Sequence, residues 1–207
     1  MFRTIRILTF LSTVVALLWP SAGWAQFSFA PGTYELANGS KGTASLKLVL
    51  AESGKPTTVV GVRNGKEHTF RSTEIVAFTI DSHRFVRVNY FRFRSGADTN
   101  FKDPIFLEVL ETNPVELFYY YYLVEMGPNF KAHVKLPVLR KPSTNVFLAY
   151  SPNHTPGFDA KLASGTFVAA LFPADPVLQR QLATNAINRA QLAAVVHAYN
   201  QGVRLKP

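Results

Sequence analysis

The sequence predicts an α+β fold: an antiparallel β meander, arranged as a sandwich or small barrel, finished by a C-terminal helical hairpin. Three observations predict it. From Thr33 to Tyr150 apolar residues recur in short runs at the two-residue spacing of strands. Turn-forming pairs and clusters separate those runs at regular intervals. Near Phe172 the spacing changes to that of helices, and capping residues frame two of them.

Taken in order, Lys41 to Leu50 places Ala44, Leu46, Leu48 and Leu50 on one face, and Asn38-Gly39 before it makes a tight turn. Thr57 to Arg63 and Lys66 to Arg71 flank Asn64-Gly65. That pair is the clearest hairpin signal in the chain, because a type I′ turn needs positive φ at both central positions. Glu74 to Ile80, Arg84 to Arg94, Ile105 to Glu111, Val115 to Glu125, Phe130 to Leu139 and Asn145 to Tyr150 read as further strands. Ser95 to Asp98, Thr112 to Pro114 and Gly127 to Asn129 read as breaks.

Ser151 to Ser164, with Pro152, Pro156 and Gly157, reads as a loop. Asp175-Pro176 then starts a helix, Asp as N-cap and Pro in its first turn. Asn188 starts another, with Gln191 completing a capping box. The helices run from about Asp175 to Asn185 and Asn188 to Gln201, with Gly202 as the stop. Leu178, Leu182, Leu192, Val195, Val196 and Tyr199 form their apolar stripe.

The first 25 residues read as an export signal. Arg3 and Arg6 precede an apolar run from Ile7 to Leu18, and small residues lead to a cleavage point after Ala25. An uncleaved membrane anchor is the alternative, against which Pro20 and the small residues argue. Residues 26–207 then form one domain, placed in the periplasm or outside the cell. No later apolar run is long enough for a membrane-spanning helix. The chain has no cysteine, which excludes disulfides, thiol chemistry and Cys-ligated zinc. Its formal charge is +9, and it stays strongly positive once Arg3 and Arg6 are removed. That field favours anionic envelope material as a partner.

Several segments resemble a poorly characterised group of secreted or periplasmic proteins of Bacteroidota, some of which continue into an outer-membrane barrel. They are Ser72 to Phe78, Phe106-Leu-Glu-Val-Leu110, Leu117-Phe-Tyr-Tyr120 and the closing Ala198-Tyr-Asn200. The resemblance implies an envelope setting and a compact β-rich domain, and it carries over no catalytic residue. This chain departs from the group in ending at Pro207 with no such barrel.

Two segments stand out as candidate binding surfaces. Phe118 to Tyr122 puts Tyr119 and Tyr121 on one strand face, where they can form an aromatic platform for sugar rings or an extended peptide. The favoured reading is that they are core residues of a central strand. Arg84, Arg87, Arg92 and Arg94 are interleaved with aromatic residues, and Arg92 and Arg94 are the candidate anion contacts. The competing reading is a charged, solvated edge strand. Export disfavours nucleic acid as the partner.

His68, His83, His133, His154 and His197 have no metal-ligand spacing, so neither a metal nor a cofactor is implied. Glu108, Glu111, Glu116 and Glu125 cluster on one hairpin, with Glu111 and Glu116 expected in solvent near its turn. No catalytic motif accompanies them. The sequence therefore favours a non-enzymatic envelope protein binding an anionic or carbohydrate-like ligand or a protein partner. A glycan hydrolase with an unrecognised acid pair and an accessory of an outer-membrane assembly are the alternatives.

Overall fold

The computed structural model describes residues 28–50, 58–89, 92–95, 97–100, 104–127, 130–151 and 165–203. The expected export signal and nearly all of the Ser151 to Ser164 loop lie outside them. The fold is α+β, mostly antiparallel sheet with C-terminal helices. Its strands are β1 (Ala30–Leu36), β2 (Lys41–Val49), β3 (Thr58–Arg63), β4 (Lys66–Phe70), β5 (Ile75–Ile80), β6 (His83–Val88), β7 (Arg92–Ser95), β8 (Ala97–Asn100), β9 (Ile105–Glu111), β10 (Glu116–Gly127), β11 (Phe130–Arg140) and β12 (Val146–Ala149). They form one twelve-stranded sheet in the order β4-β3-β2-β1-β5-β6-β9-β10-β11-β12-β7-β8. Consecutive strands pair as in a meander except at three joins: β1 with β5, β6 with β9, and a parallel β12 with β7.

The turns follow local chemistry. Asn64 and Gly65 both take positive φ (51° and 72°) between β3 and β4, as the type I′ geometry demands. Gly39 does the same at φ 83° between β1 and β2.

Arg84 to Arg94 is not the single strand its alternation predicts. β6 ends at Val88, and Arg92–Ser95 begins again on the far side of the sheet, beside β12. Ser95, Ala97 and Asp98, where the sequence predicts a break, belong instead to two short paired strands. Neither β6 nor β7 is an edge strand, since each has a partner on both sides. Side-chain alternation is local and carries no information about where a chain leaves one strand for another.

That placement determines the shape. From Val88 to Arg92 the chain can span at most about 14 Å, yet five strand spacings separate β6 from β7, about 24 Å in a flat sheet. The sheet from β6 through β9–β12 to β7 must therefore curl into a barrel-like wall. Its inner face is one apolar cluster, including Leu107, Phe118, Tyr120, Tyr122, Leu136 and Val138. Register places these residues side by side: Leu107 pairs with Tyr120 and Tyr120 with Leu136, while Phe118 pairs with Val138.

The N-terminal half curls the other way. Tyr34 on β1 and Phe70 on β4 are three strands apart, but their ring centroids are 4.9 Å apart. Gly42 and Gly61 make the approach possible. A Cβ on Gly42 would lie 2.5 Å from the Tyr34 ring, and one on Gly61 would lie 2.9 Å from Phe70. Inside this curl Leu46, Val59, Ile75, Phe78 and Phe85 pack with Phe106 and Tyr121.

The helices are α1 (Gly165–Ala169), α2 (Pro176–Ala183) and α3 (Arg189–Asn200). Asp175 caps α2 by accepting from Leu178 N, and Asn188 and Gln191 form the expected capping box on α3. Leu178, Leu182, Leu192 and Val196 are fully buried against Leu117, Leu139 and Tyr150, on the outer side of the barrel wall. Asn200 accepts from Val115 N at 3.1 Å and donates to Val115 O at 2.8 Å, fastening the end of α3 to the β9–β10 turn. α1 is an addition to the expected helical hairpin.

Candidate functional site

Tyr119 and Tyr121 share a face of β10, as alternation requires, and that face meets Glu108 of β9. Glu108 is 3% exposed. Its carboxylate accepts the Tyr121 hydroxyl through one oxygen and lies 2.5 Å from Nδ1 of His83 through the other. Tyr121 is thus a core residue whose hydroxyl is consumed internally. Tyr119 is half-buried, and Lys135 Nζ sits 3.7 Å from its ring centroid. Burial, reinforced by the nearby Glu108 charge, raises the Tyr119 pKa. Burial of the ammonium lowers that of Lys135, an effect Glu108 opposes. One face of the Tyr119 ring is thus covered by the Lys135 ammonium.

Glu111 and Glu116 are engaged rather than free in solvent, and the side chain of Glu125 lies outside the described residues. Glu111 lies 2.8 Å from His197 Nδ1, and Glu116 pairs with Arg140. The hairpin turn brings each carboxylate beside a basic group on β11 or α3, a long-range consequence of packing that strand alternation does not encode. Among the described residues no group of three or more His, Asp or Glu could hold a metal ion. No helix among them is long and apolar enough to cross a membrane.

The opposite face of the sheet carries a different arrangement. Antiparallel register aligns Thr43 of β2 with Thr33 of β1, Thr33 with Thr79 of β5, and Thr79 with Arg84 of β6. The four side chains form a row across four strands, about 14 Å long at the usual strand spacing. Thr33 Oγ1 and Thr79 Oγ1 are 2.9 Å apart, and Thr79 Oγ1 also accepts from Thr33 N at 3.1 Å. Whichever hydroxyl donates within the pair, the other keeps an O–H for an outside acceptor.

Arg84 belongs to two cavities. One, of ≈ 490 Å³, lies over Thr33, Thr43 and Thr79, with Glu35 and Lys41 at its border paired at 3.5 Å. The other, of ≈ 400 Å³, opens on the inner side of the barrel wall and is lined by Val86, Asn89, Thr112, Phe118 and Arg140. The Arg140 guanidinium stacks 4.7 Å from Phe147 and 5.5 Å from Phe118 while it pairs with Glu116. Arg84 is exposed, and among the described residues no acidic group pairs with it. The mouths of barrels and cavities of this size are ordinary places for ligands.

Arg92 and Arg94 occupy β7 opposite Val146 and Leu148 of β12, five strand positions from Arg84. Their side chains, and so their relation to Arg84, lie outside the described residues. Arg84 was within reach of sequence reasoning as part of the arginine-rich segment. Arg140 and the threonine row were not, because only non-local register brings them to it.

Comparison with protein families, curated proteins and solved structures returns no match to this chain.

Proposed function

We propose that this is an exported, non-enzymatic envelope protein that binds an anionic partner where Arg84 stands between its two cavities. The observation that carries the reading is the exposed Arg84, unpaired among the described residues, beside the buttressed Arg140, in a chain of formal charge +9. A planar guanidinium with no acid paired to it among the described residues is suited to a carboxylate, sulfate or phosphate. The first 25 residues support export. Binding is favoured over glycan hydrolysis because Glu108, Glu111 and Glu116 each engage an internal partner, whereas a hydrolase needs two carboxyls facing across a cleft.

The reading is tested by titrating the protein with heparin, used as a generic polyanion, over a series of salt concentrations. Arg84→Ser is expected to weaken binding several-fold and to flatten its salt dependence. Arg92→Ser/Arg94→Ser tests the arginines of β7 and is expected to have the smaller effect. If Arg84→Ser binds as the parent does, this site is not the contact.

A further inference from the structure

The row leading away from Arg84 has a chemistry of its own. A third cavity, of ≈ 510 Å³, continues past the threonines and is lined by Pro31, Gly32, Ser45 and Asp81 together with Thr33, Thr43 and Thr79. The first and third thus lie end to end along β1, β2 and β5, and the first and second adjoin at β6. The first two share Arg84, and the first and third share the same three threonines. Such a trough suits an extended ligand more than a compact one.

The distribution of charge selects among extended ligands. Positive charge is concentrated at Arg84. The middle is hydroxyl-lined, and its one ion pair, Glu35 with Lys41, is self-neutralised. Asp81 stands beside the threonines at the β5–β6 turn, three residues from Arg84. A polymer with an anion on every unit, such as polyphosphate or single-stranded nucleic acid, would set negative charge against Asp81 and offer the threonines no neutral hydroxyl partner. A chain whose acidic units alternate with neutral, hydroxyl-rich ones meets each part of the trough with its complement. The Thr33–Thr79 pair, which always retains one outward O–H, suits sugar hydroxyls, which both donate and accept.

Building on the proposed anion site, we infer that the ligand is an acidic polysaccharide lying across β2, β1, β5 and β6. Its carboxylate or sulfate is held at Arg84, and a neutral sugar lies over Thr43, Thr33 and Thr79.

Calorimetric titration of the full chain with an oligosaccharide alternating uronic acid and neutral sugar, and separately with polyphosphate, tests this. Thr33→Val/Thr79→Val is expected to weaken the oligosaccharide about tenfold and leave polyphosphate nearly unchanged, since two hydroxyl contacts are removed and no charge is altered. Thr33→Ser/Thr79→Ser, which keeps the hydroxyls, is expected to bind as the parent does, separating the contact from any effect on folding. Asp81→Asn is expected to strengthen polyphosphate selectively. Oligosaccharide binding untouched by the valine pair, or polyphosphate bound by the parent as tightly as the oligosaccharide, would overturn the assignment while leaving an anion site at Arg84. Arg84→Ser binding both probes normally would instead remove the site on which the inference rests.

Discussion

The Glu108 carboxylate lies 2.5 Å from Nδ1 of His83, and the two residues sit on adjacent strands of the shared wall between the two curls. The imidazole is one-third exposed, whereas the carboxylate is almost wholly buried. Tyr121, from the strand on the other side of β9, donates to the second carboxylate oxygen. An ionised group can be buried at moderate cost only when donors replace its water, and here they come from both flanking strands. The same contacts join β6, β9 and β10 where the sheet changes its direction of curl.

Removing one donor should therefore be costly. Tyr121→Phe keeps the ring and its packing but deprives the carboxylate of a hydrogen bond, a loss of about 1–3 kcal/mol. Glu108→Ala leaves the Tyr121 hydroxyl buried without its acceptor and opens a void, and it should cost more. Urea unfolding of both variants and of the double variant measures the coupling. Additive effects would show that Glu108 and Tyr121 do not support one another.

Alkaline pH should unfold the protein through its tyrosines. Burial pushes the Tyr150 hydroxyl, which donates to Ile187 O at 2.5 Å, up to about 12 from an ordinary 10.0. Tyr122 is raised further, chiefly by burial, and Tyr119 is also raised. In each case the folded state holds the proton more tightly than the unfolded chain. The resulting stability is whole below pH 10 and is lost as pH climbs towards 12. Lys135 acts in the opposite sense, because its lowered pKa marks a cost at neutral pH that is relieved as pH rises to 10.5. With three tyrosines against one lysine, the urea midpoint should fall steeply above pH 10. Tyr150→Phe should start lower, having lost a hydrogen bond, and decline less steeply. Equal slopes for parent and variant would refute the assignment.

Much of the fold was legible from the chain because its signals are local. Asn64-Gly65 can hardly do anything but turn, and Asp175 and Asn188 cap helices with side chains whose partners lie three residues away. Ile105 to Glu111 is a short, mostly apolar run between breaks, as a strand covered on both faces is. What the sequence did not reveal depends on distance. The relocation of β7 beside β12 leaves no trace in the alternation from Arg84 to Arg94. The burial of Glu108 depends on His83 and Tyr121 meeting it from separate strands. The row from Thr43 to Arg84 exists only because three strand pairings happen to be in step, and in the sequence its three threonines are unremarkable polar positions of separate strands.

The C-terminal helices should prove inseparable from the sheet. Leu178, Leu182, Leu192 and Val196 are each no more than 1% exposed, and their partners Leu117, Leu139 and Tyr150 are sealed by them. Each large side chain contributes roughly 1.5–3 kcal/mol on burial, so together they match much of a typical domain stability of about 5–15 kcal/mol. Truncation after Leu171 should thus leave an unstable or aggregating sheet. Two milder variants locate the cause. Gly165→Ala would place a Cβ 1.7 Å from Leu182 O, so α1 must separate from α2, which forces a backbone shift and a large loss of stability. Asn188→Ala removes only the α3 cap and should cost about 1 kcal/mol with the fold intact. Thermal melts of the three proteins should rank truncation worst, Gly165→Ala next and Asn188→Ala closest to the parent. A truncated chain that stays soluble and melts at the parent temperature would mean that the outer side of the barrel wall needs no helical cover.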